Sequence, residues 1–352
     1  MADTRIAVIR AGLEGLYFSG IHRIARQFVA GMGAILTFHR VRPAVTDAFQ
    51  PNRGLEVTPA FLEEVVVALR AADVDLVSLD EVHRRLTTGS DCRRFVALTF
   101  DDGYRDNRDY AWPILRRHGA PFALYVASDF ADGRGEMWWA VLETAIAGHD
   151  RIVVRLDGEE RVFDCSTPEA KTASFDSLYD HVRGSGTETG LRSIVRELAL
   201  RYGVDLNEQC RELCMGWSEL ATGAADPLVT IGAHTVSHPI LRKLTAAEAR
   251  AEMVDSVTAI AAKLGRRPEH FAYPVGQSDA AGPREFALAR EAGFKTAVTT
   301  RPGVLFPDHA DHLTALPRIS VNGEFQRLRY LDVLLSGAPT ALRNRFRRVD
   351  AA

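Results

Sequence analysis

The stretch FVALTFDDGY, from Phe95 to Tyr104, places two adjacent carboxylates directly after an apolar run rich in β-branched and aromatic residues. Such a run predicts a buried strand, and Gly103 permits a sharp turn where that strand ends. Ligands of α/β folds bind at the carboxyl ends of the strands. Because side chains alternate along a strand, Asp101 and Asp102 should diverge, so that one carboxylate binds a metal while the other takes a proton. A simple Asp-Gly turn is the structural alternative.

A second stretch, VTIGAHTVSHPIL from Val229 to Leu241, again ends a predicted strand and supplies two histidines four residues apart. If HTVSH forms one helical turn, His234 and His238 project to the same side and can share one ion. An incidental pair is the alternative. Together with one of the two adjacent aspartates they would make an open three-ligand site, for which zinc is the expected ion, although cobalt, nickel or iron would also be accepted. The remaining carboxylate would then act as general base on an activated water.

These two stretches resemble the motifs of the polysaccharide deacetylase family, the NodB-homology fold. The family motif TFDDG stands at Thr99–Gly103, and the motif H-S/T-x-x-H stands at His234–His238. The resemblance implies that the first Asp is the base and that the second Asp and both histidines bind the metal. It extends from about residue 34 to residue 321, apart from an insertion between the two motifs, and implies an irregular parallel β/α barrel, expected to have seven strands.

The order of strand-like and helix-like segments agrees with that fold and predicts its divisions. Apolar runs alternate with helical patterns, which is typical of βα units around a parallel sheet. The barrel is predicted over 34–130 and 221–322, interrupted by an α-rich insertion over 131–220. This insertion begins with a predicted hairpin that turns at Asp157-Gly158. Residues 1–33 and 323–352 are predicted to be helical terminal segments.

The sequence departs from the family pattern at the residue that orients the base. Many members carry an arginine in an RPPY-type motif, whereas FAYPVG from Phe271 to Gly276 has none. Arg318 is the predicted replacement, because an arginine near Asp101 would keep that carboxylate ionised and aligned. An ordinary ion pair is the alternative. The resemblance also suggests that the backbone N–H near Val275 stabilises an oxyanion, or that this loop simply packs.

The general acid is predicted to be His39, which ends the strand-like run AILTFH. It resembles the early histidine that deacetylases of the biofilm-polysaccharide type use as an acid, and its protonated form would donate to the departing amine. A structural role is the alternative. His309 and His312 lie in the polar segment PDHADHL, which predicts a loop, and neither is expected to be the acid.

Four residues near the motifs are predicted to be structural rather than functional. Trp138 and Trp139 are expected to pack in the core, with stacking on a sugar as the alternative. Asp106 and Asn107 are expected to cap a helix rather than bind a ligand.

Composition and charge limit the classes of partner. The chain has 46% hydrophobic and 25% charged residues, as globular proteins do, and its formal charge of -3 gives no general attraction to nucleic acid. The cysteines, Cys92, Cys165, Cys210 and Cys214, lack paired CxxC spacing and are expected to be reduced.

The chain shows no apolar run of signal-peptide or bilayer-spanning length, so a cytoplasmic location is expected. Near the C-terminus, RNRFRR beside YLDVLL predicts either a solvated face or peripheral contact with an anionic membrane at its inner face. The oligomeric state is left open.

The function expected from these features is removal of an N-acetyl group from an amino sugar. The missing export signal favours a nucleotide-linked or lipid-linked glycan precursor over an external polymer. One alternative is a hydrolase of a non-sugar amide or imide on the same fold. A second is a catalytically idle glycan-binding protein. The complete ligand set favours a metal-dependent deacetylase over the first, and the retained Asp101 favours an enzyme over the second.

Overall fold

A computed structural model of the chain describes residues 2–89 and 93–351. Its strands are β1 Gly33–Phe38, β2 Arg40–Val41, β3 Glu56–Val57, β4 Asp75–Leu76, β5 Phe95–Phe100, β6 Phe122–Val126, β7 Arg151–Leu156, β8 Glu159–Asp164, β9 Val229–Ala233, β10 His270–Ala272, β11 Thr296–Pro302 and β12 Leu316–Ser320. Its α-helices are α1 Ala2–Phe18, α2 Ile21–Val29, α3 Pro59–Ala71, α4 Leu79–Thr88, α5 Trp112–Arg117, α6 Ser128–Ala131, α7 Trp138–Ala147, α8 Pro168–Gly184, α9 Glu188–Arg201, α10 Leu206–Leu213, α11 Trp217–Ala224, α12 Ala246–Leu264, α13 Pro283–Glu291, α14 Leu328–Leu335 and α15 Ala338–Arg343.

Seven parallel strands close into a barrel in the order β1-β12-β11-β10-β9-β6-β5, because β5 also pairs with β1. The pairing between β1 and β5 runs in register from Gly33 opposite Phe95 to Phe38 opposite Phe100. The short strand β4 adds to the start of β5. The predicted seven-stranded parallel β/α barrel is therefore confirmed.

Alternate side chains of each strand serve two different cores. Outward residues such as Leu36 and Leu98 pack with Leu62 of α3 between the barrel and its helices. Inward residues such as Ile35 and Ala97 fill the barrel itself. Both faces of these strands are buried, which explains why the sequence shows continuous apolar runs instead of alternation.

Between β6 and β9 the chain forms six helices, α6 to α11, and the antiparallel hairpin β7–β8. The hairpin turns at Asp157 and Gly158, both with positive φ, as the sequence predicts. Trp138 and Trp139 at the start of α7 are 5% and 6% exposed and belong to a core cluster shared by these helices. Their predicted packing role is confirmed. The domain divisions drawn from the sequence stay a prediction.

The two ends of the chain meet on the outside of the barrel. Leu13 of α1 packs against Tyr330 and Val333 of α14, and these residues form a small cluster of their own. Within the described ranges, no helix is both long and apolar enough to cross a membrane. Cys165, Cys210 and Cys214 are free and buried, and Cys92 lies outside the described residues.

Candidate metal centre

Three buried side chains converge where β5 and β9 end. Asp102 follows β5 with a left-handed backbone (φ 69°), and Gly103 continues that turn (φ 65°). The Oδ1 atom of Asp102 lies 3.4 Å from His234 Nε2 and 3.3 Å from His238 Nε2. One ligand atom from each of the three residues lies within 4.8 Å of the others. The structure thus brings together the three residues that the sequence predicts as metal ligands.

The loop that carries the histidines is not the helical turn expected from the sequence. Thr235 and His238 have positive φ (69° and 59°), and such values interrupt a right-handed helix. Glu252 of α12 accepts hydrogen bonds from the N–H groups of Val236 (2.8 Å) and Ser237 (2.9 Å). At the start of a helical turn these N–H groups would have no partner within the helix. The prediction of a helical turn is therefore wrong, although both imidazoles still face Asp102.

Residues that the sequence analysis did not identify support this loop. Arg192 of α9 donates to the carbonyl oxygen of Ser237 (2.8 Å), and Glu188 accepts from the N–H of Ile240 (3.2 Å). The Nδ1 atom of His234 lies 2.7 Å from the carbonyl oxygen of Ala272 in β10. Glu252 and Arg192 are distant in sequence from HTVSH and belong to no motif, so only the tertiary structure could reveal them.

The buried cluster fits a divalent cation. When His234 is neutral, donation from Nδ1 to the carbonyl oxygen of Ala272 leaves the lone pair on Nε2, the nitrogen that faces Asp102 and could bind a cation. Asp102 Oδ1 is buried and, within the described residues, accepts no hydrogen bond of good geometry. Burial alone would raise the pKa of the Asp102 carboxyl, but contacts with His234 and His238 in their protonated form lower it well below its ordinary range. Two imidazoles and one carboxylate form a ligand set that suits zinc and several other transition metals.

The second carboxylate, Asp101, is held by a buried arginine. Arg318 of β12 donates from Nη1 to Asp101 Oδ1 (2.7 Å) and from Nη2 to Oδ2 (2.6 Å). Its Nε donates to the carbonyl oxygen of Thr299 (2.8 Å), and its Nη1 also reaches Thr99 Oγ1 (3.1 Å). Burial raises the pKa of Asp101, but the charge and hydrogen bonds of Arg318 outweigh it and lower that pKa. Asp101 is therefore ionised and fixed in orientation.

His39 lies beside Asp101, with its Nε2 atom 4.0 Å from Asp101 Oδ2 and its side chain 23% exposed. The register of β1 and β5 explains this, because both residues directly follow paired strand ends. Burial lowers the pKa of His39, while the nearby charges of Asp101 and Asp102 act in the opposite direction. The imidazole is therefore mainly neutral at neutral pH, and its predicted role as general acid requires that it first take up a proton.

Asp106 and Asn107 do not cap a helix, contrary to the prediction. Asp106 accepts from the N–H of Val41 (3.0 Å) and from Arg40 Nε (2.7 Å), and Asn107 Nδ2 donates to the carbonyl oxygen of His39 (2.9 Å). These bonds connect the segment after TFDDG to the end of β1. The two side chains are therefore used to hold the backbone around His39.

Val275 belongs to a loop, whereas His309 and His312 belong to a short helix. Val275 has a positive φ (61°), its carbonyl oxygen accepts from Thr300 Oγ1 (2.6 Å), and its N–H donates no hydrogen bond within the described residues. His309 is buried and bonds through Nδ1 to the backbone of Phe306. The segment with His309 and His312 is a 3₁₀ helix, Pro307–His312, and not the expected loop.

Aromatic residues line one side of the metal cluster. The rings of Trp139 and Phe130 lie 5.1 Å and 5.6 Å from the ring of His238, measured between centroids. Trp139 Nε1 donates to the hydroxyl oxygen of Tyr104 (2.9 Å). The segment between β6 and β9 therefore supplies an apolar wall that restricts water beside His238.

Comparison with known proteins identifies the family. The sequence model described as polysaccharide deacetylase matches residues 88–152 and 186–297, together about half of the chain. The chain belongs to the polysaccharide deacetylase family. Members of this family are hydrolases of amide bonds, and both motifs described above lie within the matched residues. A search of curated protein sequences found no match to this polysaccharide deacetylase.

Solved structures share its fold at low sequence identity. The deacetylase PplD of Streptococcus pyogenes, solved in complex with acetate, has 17% identity and a TM-score of 0.56, covering 86% of this chain and 97% of PplD. IcaB from Ammonifex degensii has 17% identity and a TM-score of 0.54, covering 87% of this chain and 97% of IcaB. At such identity these similarities establish the barrel fold alone.

Replacement of Arg318 by Met should lower the free energy of unfolding by about 3–5 kcal/mol, because it leaves the buried Asp101 carboxylate unpaired. The double variant Asp101→Asn/Arg318→Met should recover part of that loss, since no buried charge remains. Urea-induced unfolding of the three proteins measures both effects. Equal free energies of unfolding for Arg318→Met and the double variant would show that an unpaired Asp101 carboxylate does not destabilise the protein.

Proposed function

We propose that this polysaccharide deacetylase is a metal-dependent enzyme that hydrolyses the N-acetyl group of an amino sugar in a glycan or glycan precursor. One observation carries the proposal: an Asp102-His234-His238 cluster that fits a cation lies directly beside an ionised carboxylate, Asp101, held by Arg318. A metal site needs the first group and general base catalysis needs the second.

Asp102, His234 and His238 would hold the metal, most simply Zn²⁺, in three positions and leave room for further ligands. When bound, such a cation acts as a Lewis acid toward a carbonyl oxygen and lowers the pKa of coordinated water. The aromatic wall beside His238 keeps the surroundings poor in water, which strengthens electrostatic interactions within the centre.

Asp101 takes the proton from the attacking water. Arg318 holds both carboxylate oxygens and lowers the pKa of Asp101, so the base is ionised before substrate arrives. The N–H of Val275 has no partner in the described residues and is the proposed donor to the oxyanion. His39, mainly neutral and 4.0 Å from Asp101, then receives that proton and passes it to the departing amine.

The proposed substrate class follows from the family to which the chain belongs, and the names of similar solved structures support it. PplD is described as a deacetylase and was solved with acetate, the product that this reaction would release. The choice of a nucleotide-linked or lipid-linked precursor, and a cytoplasmic location, stay predictions.

The zinc-loaded protein should release acetate from at least one member of a panel of N-acetylated oligosaccharides, nucleotide sugars and lipid-linked glycans. Asp101→Asn should abolish at least about 99% of that release, because general base catalysis contributes about 10²-fold or more. Asp255→Asn, which removes an exposed carboxylate of α12, is the matched control and should act like the wild type.

The other outcomes separate the alternatives. No acetate release from any member of the panel, together with hydrolysis of simple amides or cyclic imides, would support the non-sugar hydrolase. Glycan binding without turnover at full metal occupancy would support the idle binder. Equal acetate release by Asp101→Asn and wild type would contradict the assignment of the base.

Replacement of Glu252 by Ala should weaken zinc binding about 10- to 100-fold, because the loop carrying His234 and His238 loses the acceptor for two of its N–H groups. Competition with a chromogenic chelator measures this affinity without any assay of activity. His238→Ala should bind more weakly still. Asp255→Asn, on the same helix but without contact to the loop, should bind zinc as the wild type does, and an unchanged affinity in Glu252→Ala would argue against loop anchoring.

Replacement of His39 by Gln should slow hydrolysis of sugar amides about 10²- to 10⁴-fold, since the amine cannot leave without a proton. The same variant should hydrolyse 4-nitrophenyl acetate at nearly the wild-type rate, because nitrophenolate leaves unprotonated. The ratio of kcat values for the two substrates is the measurement. An equal loss on both substrates would assign His39 a structural role.

A further inference from the structure

Helix α2 presents its apolar side to solvent. Ile21, Ile24 and Phe28 are 54%, 67% and 73% exposed, and their spacing of three and four residues places them on one helical face. Helices on the surface of globular proteins normally turn such a face toward the core. The amphipathic pattern of α2 is therefore reversed.

The opposite face of α2 is polar and is fixed to the protein by polar contacts. His22 is fully buried, and its ring nitrogens lie 2.8 Å from the carbonyl oxygen of Leu16 and 3.1 Å from Asp332 Oδ2. Arg26 forms an ion pair with the same Asp332 of α14. The reversed orientation therefore has a definite structural cause, since rotating the helix would strip Asp332 of both partners.

Further exposed apolar residues lie next to α2 in the fold. Phe18, which ends α1 just before it, is 74% exposed. The carbonyl oxygen of Val29, at the other end of α2, lies against Gly337, where α15 begins, and leaves no room for a Cβ on that glycine. Leu342 of α15 and Phe346, which follows that helix, are 60% and 69% exposed. We call this set the terminal apolar patch; it consists of Phe18, Ile21, Ile24, Phe28, Leu342 and Phe346.

The segments that carry the patch are strongly basic. Residues 19–30 and 337–348 contain six arginines and no aspartate or glutamate, in a chain whose formal charge is -3. Arg23, Arg343, Arg345 and Arg347 form no ion pair with a carboxylate of the described residues. Exposed apolar side chains flanked by unpaired arginines are the pattern by which amphipathic segments lie on anionic bilayers.

We propose that the terminal apolar patch docks on the surface of an anionic lipid bilayer, with Ile24 and Phe28 inserted among the lipids and the flanking arginines at the headgroups. A second copy of the chain fits less well, because a symmetric contact through this patch would bring the arginines of both copies together. This inference does not rest on the deacetylase reaction proposed above.

Docking through this patch leaves the candidate metal centre accessible. α2 ends at Val29 and leads into the start of β1 at Gly33, whereas Asp101 and Asp102 follow the carboxyl end of β5. Since the barrel strands are parallel, these positions lie at opposite ends of the barrel. Substitutions on the outward face of α2 should therefore leave catalysis in solution unchanged.

Co-sedimentation of the full chain with lipid vesicles tests the proposal. Wild type should bind vesicles of phosphatidylcholine mixed with phosphatidylglycerol, bind pure phosphatidylcholine poorly, and bind less in high salt. Ile24→Glu/Phe28→Glu should need at least about tenfold more lipid for half-maximal binding. Arg345→Gln/Arg347→Gln should weaken binding to the anionic vesicles about tenfold or more and reduce the salt dependence, because two of the unpaired arginines are lost.

The matched control variants make the same types of substitution elsewhere on the surface. Leu200→Glu changes a side chain that is 86% exposed on α9, and Arg116→Gln/Arg250→Gln removes two exposed arginines far from α2 in sequence; both should bind as the wild type does. Unchanged circular dichroism and thermal unfolding would show that the patch variants are folded. Equal binding to neutral and anionic vesicles, no binding, or unaltered binding by the patch variants would overturn the proposal. So would a dimer in sedimentation velocity that Ile24→Glu/Phe28→Glu dissociates, because it would identify a self-association surface.

Discussion

The pairing of β1 with both β5 and β12 closes the barrel, and the surroundings of the candidate base Asp101 depend on it. Because β1 and β5 are in register from Gly33 to Phe38, the chain leaves both strands at the same level, so His39 and Asp101 become neighbours. The same closure brings β12 near β5. Arg318 can therefore contact Asp101, although the two residues are far apart in the sequence. Without this closure Asp101 would lose Arg318 and His39 as neighbours.

Burial of so many charged groups carries a cost that the surrounding contacts offset. An isolated buried carboxylate is strongly unfavourable, and a bidentate arginine is among the few partners that satisfy both of its oxygens. Arg318 is itself satisfied by Thr99 and the backbone of Thr299, so the base is set in a complete hydrogen-bond network. Asp102, in contrast, has imidazole neighbours and an unsatisfied oxygen. One carboxylate is thus organised for proton transfer, and the other is suited to a cation.

The segment between β6 and β9 takes part in the centre although it carries neither motif. Arg192 contacts the loop with the two histidines, and Trp139 lies against the ring of His238. The terminal helices use polar contacts in a different way, because the buried His22 and the Arg26 ion pair hold α2 with its apolar face outward. In both places polar contacts determine which side of an element is available to a ligand or a surface.

The sequence by itself determined the fold class, the two motif loops and the candidate ligands Asp102, His234 and His238, because apolar runs predict strands and polar residues at strand ends predict a site. It also indicated Arg318 and His39, through the family resemblance. Only the tertiary structure decided that HTVSH is an irregular loop, that Asp106 and Asn107 hold the backbone around His39, and that Glu252 and Arg192 anchor the histidines. The physical reason is that local periodicity reports which face of an element is apolar, whereas hydrogen bonds between distant segments depend on strand order, register and barrel closure, which no local pattern encodes.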